Sequence, residues 1–252
     1  MVIPVGDRNP TRRTPWVNWL LVALNVGVFV FLEPWWADTC TQQRFFLQWA
    51  AVPAEIVQGS PLEAGQVQAT TPPACAIGPM AGKDVYAAIV YSMFLHAGWV
   101  HLLGNMLYLW IFGNNVEDRY GHLGYLGFYL ASGAAATVAF TLPNLQSTTT
   151  LVGASGAIAG VLGAYLVLFP AAQVTVLVPF LFFLPLELPA LVVLGLWFLL
   201  QLDAVRPDSM SGGGVAYLAH VAGFVAGLGA TLLVLGLRSS HSRRGPPPTG
   251  WP

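Results

Sequence analysis

The feature that most constrains this chain is the absence of charge over long stretches. Four stretches contain no Asp, Glu, Lys or Arg, and they lie between Arg13 and Glu33, Asp84 and Glu117, Arg119 and Glu187, and Asp208 and Arg238. A helix needs about 20 mostly apolar residues to cross a hydrocarbon core about 30 Å thick. The third stretch, of 67 residues, has room for nearly three crossings, and each of the others has room for one. Only 8% of the residues are charged, against about 25% in soluble domains, which excludes an ordinary soluble enzyme.

Two breaks subdivide the longest uncharged stretch. The segments PNLQSTTT, from Pro143 to Thr150, and FPAAQ, from Phe169 to Gln173, are typical of turns at a membrane surface. We therefore predict an all-α, polytopic membrane protein with six transmembrane helices. The predicted helices run from Trp16 to Leu32, Tyr91 to Asn114, His122 to Leu142, Leu151 to Phe169, Val174 to Leu200 and Val215 to Leu237. The fifth is the weakest of the six because it contains Pro179, Pro185, Glu187 and Pro189.

The basic residues set the predicted orientation, because Lys and Arg concentrate on the cytoplasmic side of a membrane. Most of them are cytoplasmic if both termini are inside, which predicts a multi-pass protein of the cell membrane. Residues 1–15 then form a cytoplasmic segment, 16–237 the six-span domain with an external loop at about 34–90, and 238–252 a disordered cytoplasmic tail. The external loop holds Cys40 and Cys75. Its oxidising surroundings permit a disulfide, and two unpaired thiols fit the sequence nearly as well.

Polar side chains inside a membrane span are costly, so each one is a candidate functional group. Four of them stand out: His101, Asn105, Ser155 and His220. His101 and Asn105 are four residues apart and therefore share one face of the second helix. Ser155 and His220 each follow an external turn by a few residues. All four are expected to meet at one shallow depth below the outer surface.

Small residues allow two of these helices to approach closely. They are Gly156, Gly160 and Gly163 in the fourth helix and Gly223 and Gly227 in the sixth. Close packing would bring the His220 imidazole towards the Ser155 hydroxyl, as a serine nucleophile and its general base require. The Ser155 amide lies near a helix N-terminus, where unpaired N–H groups favour negative charge, and Asn105 and His101 could add donors for an oxyanion.

Three motifs carry a specific resemblance. The strings HAGWVHLLGNMLYLWIFGNNVEDRYG from His96, GASGAIAG from Gly153 and AHVAGFVAG from Ala219 resemble those of the rhomboid family of intramembrane serine proteases. The resemblance implies a six-helix rhomboid-like bundle in which Ser155 is the nucleophile and His220 the general base, as a dyad without an acidic third member.

The resemblance also assigns supporting roles. His101 and Asn105 would line the oxyanion hole with the Ser155 amide, Gly153 would keep the loop beside the nucleophile open, and His96 would shape a water-accessible cavity. One position departs from the family pattern. Many members carry an aromatic residue four positions after the nucleophile, against which the base can stack, and this chain has Ala159 there.

The predicted function is a serine endopeptidase that cleaves transmembrane segments of membrane proteins near the outer face. Its partners would be those substrates and the lipid bilayer, and the sequence leaves the oligomeric state open. A net charge of −1 offers no basic field for nucleic acid. We expect no cofactor and no metal, because HExxH is absent and His96 and His101 are five residues apart.

The alternative is a catalytically silent rhomboid-like membrane protein that binds transmembrane clients. Such a binder would have no reason to keep Ser155 and His220 together. A transporter or channel is disfavoured, because the spans lack midplane charges and the sequence has no internal repeat.

Overall fold

The fold is mostly helical, with one small sheet. The computed structural model describes residues 3–179, 182–205 and 216–242, with side chains through residue 237. In chain order the elements are β1 (Ile3–Asp7), α1 (Trp16–Phe31), α2 (Thr39–Trp49), α3 (Pro53–Gln58), α4 (Ala64–Thr70), α5 (Ala87–Tyr91), a 3₁₀ turn (Ser92–Phe94), α6 (Trp99–Tyr120), α7 (His122–Thr141), α8 (Ser155–Leu168), β2 (Gln173–Val178), β3 (Leu184–Pro189), α9 (Ala190–Ala204) and α10 (Tyr217–Ser242).

Helix α8 is the centre of a bundle formed with α1, α6, α7, α9 and α10. Every residue from Ala157 to Tyr165 is buried, and α8 packs against α6, α7, α9 and α10. Large apolar side chains of the surrounding helices point outward, among them Leu199 on α9 and Leu233 on α10. An apolar core inside an apolar surface is the arrangement that a lipid environment favours. We call the end of the bundle at which α6, α8 and α10 begin the upper end.

Helix length supports fewer than six membrane spans in the described residues. Helix α7 and the part of α10 from Tyr217 to Leu237 are long and apolar enough to cross a membrane. A third span is possible if α5, the 3₁₀ turn and α6 are counted together across a bend of 92°. Helices α1, α8 and α9 are apolar but shorter. The six apolar helices exist, but their number as spans is not confirmed.

The predicted fifth helix, from Val174 to Leu200, is wrong in its first half. That segment forms strands β2 and β3, which pair antiparallel, and β1 pairs antiparallel with the other edge of β2. The all-α class is confirmed only in part, because the described residues are mostly helical but contain one small sheet. Valines 174, 176 and 178 alternate with less buried residues, the period of a half-buried strand. Prolines at 179, 185 and 189 oppose helix in this segment, and α9 begins only at Ala190. Glu187, in β3, forms an ion pair with Arg8.

Three other helices have boundaries that differ from the predictions. The predicted second helix is broken after the 3₁₀ turn, and α6 continues to Tyr120 instead of ending at Asn114. Helix α8 begins at Ser155 rather than at Leu151. Helix α10 continues to Ser242, into the segment predicted as a tail. The predicted start of that helix at Val215, and residues 243–252, lie outside the described part of the chain.

The predicted close approach of the fourth and sixth helices is confirmed. A Cβ atom placed on Gly223 would lie 2.1 Å from the carbonyl oxygen of Gly156, and one on Gly227 would lie 2.0 Å from that of Gly160. A Cβ on Gly163 would lie 2.2 Å from the carbonyl oxygen of Phe224. Real Cβ atoms do not approach so closely, so α8 and α10 meet backbone to backbone over two turns and only glycine fits there.

The loop predicted at 34–90 folds into a small layer on the upper end. Helices α2, α3 and α4 enclose a separate apolar cluster that includes Leu47, Val52 and Val67. Cys40 and Cys75 form a disulfide at its edge, which decides between the two alternatives that the sequence left open.

A buried ion pair supports this layer. The side chains of Lys83 and Glu55 are 1% and 2% exposed, and their charged atoms lie 2.5 Å apart. The Lys83 ammonium also donates to the carbonyl oxygens of Leu47 and Ala50, both at 2.7 Å. Burial lowers the pKa of Lys83, and the Glu55 carboxylate offsets part of that shift. The next carbonyl, of Ala51, accepts from the Leu151 amide at 2.7 Å, so the layer holds the segment that leads into α8.

Adding a methyl group at Gly227 is expected to destabilise the bundle. The Gly227→Ala variant forces α8 and α10 apart, which should cost about 1–3 kcal/mol as other overpacked cores do. Gly229→Ala on the same helix is the control, because its Cβ would meet nothing within 4 Å. Thermal unfolding followed by tryptophan fluorescence in detergent should give a lower midpoint for Gly227→Ala than for Gly229→Ala. Equal unfolding midpoints for the two variants would contradict a backbone contact between α8 and α10 at Gly227.

Removing the Lys83 charge is expected to destabilise the loop layer strongly. In Lys83→Met the Glu55 carboxylate stays buried without its partner, a loss that typically costs about 3–5 kcal/mol. The double variant with Glu55→Gln should recover part of this loss. Arg44→Met, at an exposed position of α2, is the control for charge removal and should unfold at the wild-type temperature. A Lys83→Met protein as stable as wild type would refute the role of the pair.

Candidate active site

Ser155 and His220 meet at the upper end of the bundle. Ser155 is the first residue of α8, and His220 lies in the first turn of α10. The Nε2 atom of His220 is 2.8 Å from the Ser155 hydroxyl oxygen, although the two residues are 65 positions apart. The contact between Gly156 and Gly223 lies within one turn of both side chains. The close approach of the two helices therefore sets the distance between the hydroxyl and the imidazole.

Gly153 occupies a position that requires glycine. Its φ angle is +123°, which L side chains rarely adopt. A Cβ there would lie 2.7 Å from Nε2 of His101 and 3.5 Å from the Ser155 hydroxyl oxygen. The Gly153 amide donates to the carbonyl oxygen of Ser92 at 2.9 Å, which anchors the loop to the 3₁₀ turn. The absence of a side chain at Gly153 leaves the space beside the hydroxyl open.

His101 and Asn105 lie one turn apart on α6, which packs against α8. The Nδ1 atom of His101 accepts from the Ala97 amide at 3.4 Å. This contact favours the tautomer that carries its proton on Nε2, next to Gly153. Asn105 is 8% exposed, and its side-chain NH₂ has no hydrogen-bond partner among the described residues. A buried donor without a partner is costly, so a group that accepts from it would be stabilised there.

His96 packs against His101 and not against Ser155. Its ring meets the His101 ring edge to face, with centroids 5.2 Å apart, and it is 1% exposed. The His96 amide donates to the Glu33 carboxylate at 2.9 Å. Both residues border a cavity of about 70 Å³, together with Gln42 and Trp99. Burial raises the pKa of Glu33, which follows α1, to about 7.

The sequence analysis missed one residue that contacts the candidate base. Gln201, in the last turn of α9, places its side-chain oxygen 2.8 Å from Nδ1 of His220. The predicted fifth helix ends one residue earlier, at Leu200, so Gln201 lies outside the six predicted spans. A polar residue that directly follows the apolar run from Ala190 to Leu200, one turn after Trp197, is the signal that could have found it.

The departure at Ala159 has a packing explanation. Ala159 is fully buried, and its Cβ would lie 3.3 Å from a Cβ on Gly223. A larger side chain at this position would therefore press on α10. Aromatic rings lie near His220 from α9 and α10 instead of α8. The rings of Trp197 on α9 and Tyr217 on α10 both have centroids 6.2 Å from the imidazole.

Metal ligands do not cluster in the described part of the chain, where no three His, Cys, Asp or Glu side chains could hold one ion. The polar groups that converge at the upper end are instead a hydroxyl, an imidazole with an acceptor behind it, and nearby donors on α6. This set can activate a serine for attack on a carbonyl carbon.

The chain is similar to several known rhomboid proteins. The chain is 35% identical to RHOMBOID-like protein 5 of Arabidopsis thaliana over 78 residues, which are 31% of this chain and 25% of the relative. It is 45% identical to the rhomboid protease GluP of Bacillus subtilis over 73 residues, 29% of this chain and 14% of the relative. It is 31% identical to Rhomboid-like protease 5 of Toxoplasma gondii over 149 residues, 56% of this chain and 15% of the relative.

Each of these alignments therefore spans a quarter or less of the relative's length. A family model described as the Rhomboid domain matches residues 83–237. That range is more than half of the chain and contains α6, α8, most of α10 and all three motifs. The chain belongs to the rhomboid family, whose members are integral membrane proteins.

Proposed function

We propose that this protein is an intramembrane serine endopeptidase that cleaves transmembrane segments of other membrane proteins. The observation that carries the proposal is the 2.8 Å contact between Nε2 of His220 and the Ser155 hydroxyl. A hydroxyl needs a base within hydrogen-bond reach to become a useful nucleophile. Membership of the rhomboid family and the protease names of two relatives support the same activity.

The reaction is acyl transfer by a two-residue dyad. His220 accepts the Ser155 proton through Nε2 while the serine oxygen attacks a peptide carbonyl carbon. His220 then returns the proton to the departing amine, and water attacks the acyl-enzyme with His220 again as base. His101 Nε2–H, the Asn105 NH₂ group and the Ser155 amide are the proposed donors to the oxyanion. Gly153, which has no side chain, leaves space for the substrate carbonyl beside Ser155. His96 packs against the ring of His101 and supports its position.

The substrates follow from the position of the dyad and from helix chemistry. A transmembrane helix hides its carbonyl groups in its own hydrogen bonds, so a locally unwound stretch with a small residue is the easiest place to cleave. We place both termini in the cytoplasm and the upper end near the outer face of the cell membrane, as the distribution of basic residues favours. Residues 1–15 and 238–252 would then be cytoplasmic, and residues 34–90 external.

Replacement of Ser155 by alanine is expected to abolish both proteolysis and active-site labelling. The purified protein is treated with a fluorescent fluorophosphonate and, separately, with a single-span substrate in proteoliposomes. Wild type should label and cleave, and Ser155→Ala should do neither, because the nucleophile is gone. Ser132→Ala is the control, since Ser132 is a buried serine of α7, and it should retain labelling and cleavage. If wild type and Ser155→Ala behave alike, the protein is a client-binding rhomboid instead.

Loss of the Asn105 donor is expected to slow turnover without unfolding the protein. Asn105→Ala should lower kcat on the order of tenfold to a thousandfold, the range for removing one oxyanion donor, with KM unchanged. Asn114→Ala, on the same helix far from Ser155, is the control and should leave kcat at the wild-type value. Cleavage of the single-span substrate at varied concentration measures both constants. An unchanged kcat in Asn105→Ala would remove Asn105 from the site.

A further inference from the structure

The side chain of Gln201 contacts the one atom of His220 that the dyad mechanism leaves unassigned. Nε2 of His220 faces Ser155 at 2.8 Å, and Nδ1 faces the Gln201 side-chain oxygen at 2.8 Å. We propose that Gln201 is a positioning residue that holds His220 in the tautomer required of the general base. This inference rests on the proposed function, because it assigns a role within the same site.

The proton count of the His220 ring decides which nitrogen can act as the base. A neutral imidazole carries one proton, so one nitrogen donates and the other accepts. His220 can take a proton from Ser155 only if Nε2 is the acceptor, which requires the ring proton to be on Nδ1. An amide oxygen 2.8 Å from Nδ1 stabilises that tautomer. The other tautomer would donate from Nε2 to the serine and could not act as its base.

The contact with Gln201 also stabilises the protonated His220 ring, the imidazolium. After His220 has taken the serine proton, both nitrogens are donors. The Gln201 oxygen can accept from Nδ1 before and after the transfer, so the ring need not rotate between the steps. A neutral amide also adds no second titrating group beside the base.

Gln201 is held in place by aromatic packing on its own helix face. Trp197 lies one turn earlier on α9, and its ring centroid is 6.0 Å from that of Phe224 and 6.2 Å from the His220 imidazole. The Phe198 ring stacks on Phe224 with centroids 4.6 Å apart. Helix α9 is therefore docked on α10 at the level of His220, and one more turn brings the Gln201 amide to Nδ1.

The test separates the acceptor from the packing. Gln201→Leu removes the amide oxygen and leaves a branched apolar side chain of similar volume, and Gln201→Glu keeps an acceptor oxygen. Leu199→Ala, at an exposed position of α9, is the control for a change in this helix. Initial rates on the single-span substrate give kcat and KM separately, and fluorophosphonate labelling gives the reactivity of Ser155.

We expect Gln201→Leu to lower kcat and the labelling rate about tenfold or more, with KM within about twofold of wild type. Gln201→Glu should restore kcat to within about threefold, and Leu199→Ala should match wild type. Wild-type kcat in Gln201→Leu would overturn the inference. Equal losses in Gln201→Leu and Gln201→Glu would overturn it as well, because a merely structural role would not depend on an acceptor oxygen.

A second measurement does not depend on catalysis. Nitrogen-15 NMR of the histidine-labelled protein distinguishes the two tautomers, and the His220 signals are identified by their loss in His220→Asn. Wild type should carry the proton on Nδ1, and Gln201→Leu should lose this preference. A proton on Nε2 in wild type would refute the inference even if the enzyme is active. An inactive wild type with the Nδ1 tautomer would refute the proposed function alone.

Discussion

The backbone contact between α8 and α10 is the constraint on which the site depends. Carbonyl oxygens of Gly156 and Gly160 occupy the space where Cβ atoms of Gly223 and Gly227 would otherwise lie. Ser155 and His220 stand in the first turns of these two helices, directly above the contact. The distance between hydroxyl and imidazole is therefore set by main-chain packing, which varies less than the packing of long side chains.

Two further supports complete the geometry, and they come from opposite sides of the dyad. On the serine side, the loop before α8 is tied by the Gly153 amide to Ser92 and by the Leu151 amide to Ala51. On the histidine side, Trp197 and Gln201 of α9 contact the imidazole. The first support extends to Lys83, whose ammonium binds the carbonyl of Ala50. A charge pair outside the helix bundle thus contributes to the shape of the loop that precedes the nucleophile.

The helices and the glycine contact that position the site could be predicted from the sequence. The strands, the end of α9 and the long-range contacts could not, because hydropathy does not encode them. Charge gaps located the apolar helices, and glycine spacing predicted the approach of α8 to α10. Hydropathy alone failed from Val174 to Pro189, because a high apolar content does not separate a helix from a buried strand. The fifth helix is also predicted to end at Leu200, one residue before Gln201, the partner of His220. The pairing of Cys40 with Cys75 and the burial of Lys83 depend on long-range contacts that no local pattern records.

The small sheet has a consequence for the order in which the chain folds. Strand β1 is made first, yet its partner β2 lies beyond α8, with Ile3 opposite Leu177. The ion pair from Arg8 to Glu187 in β3 likewise joins residues that are far apart along the chain. During synthesis β1 cannot pair with β2 until β2 itself has been synthesised. Closure of the sheet therefore follows synthesis of α8, and it joins β1 to the connection between α8 and α9.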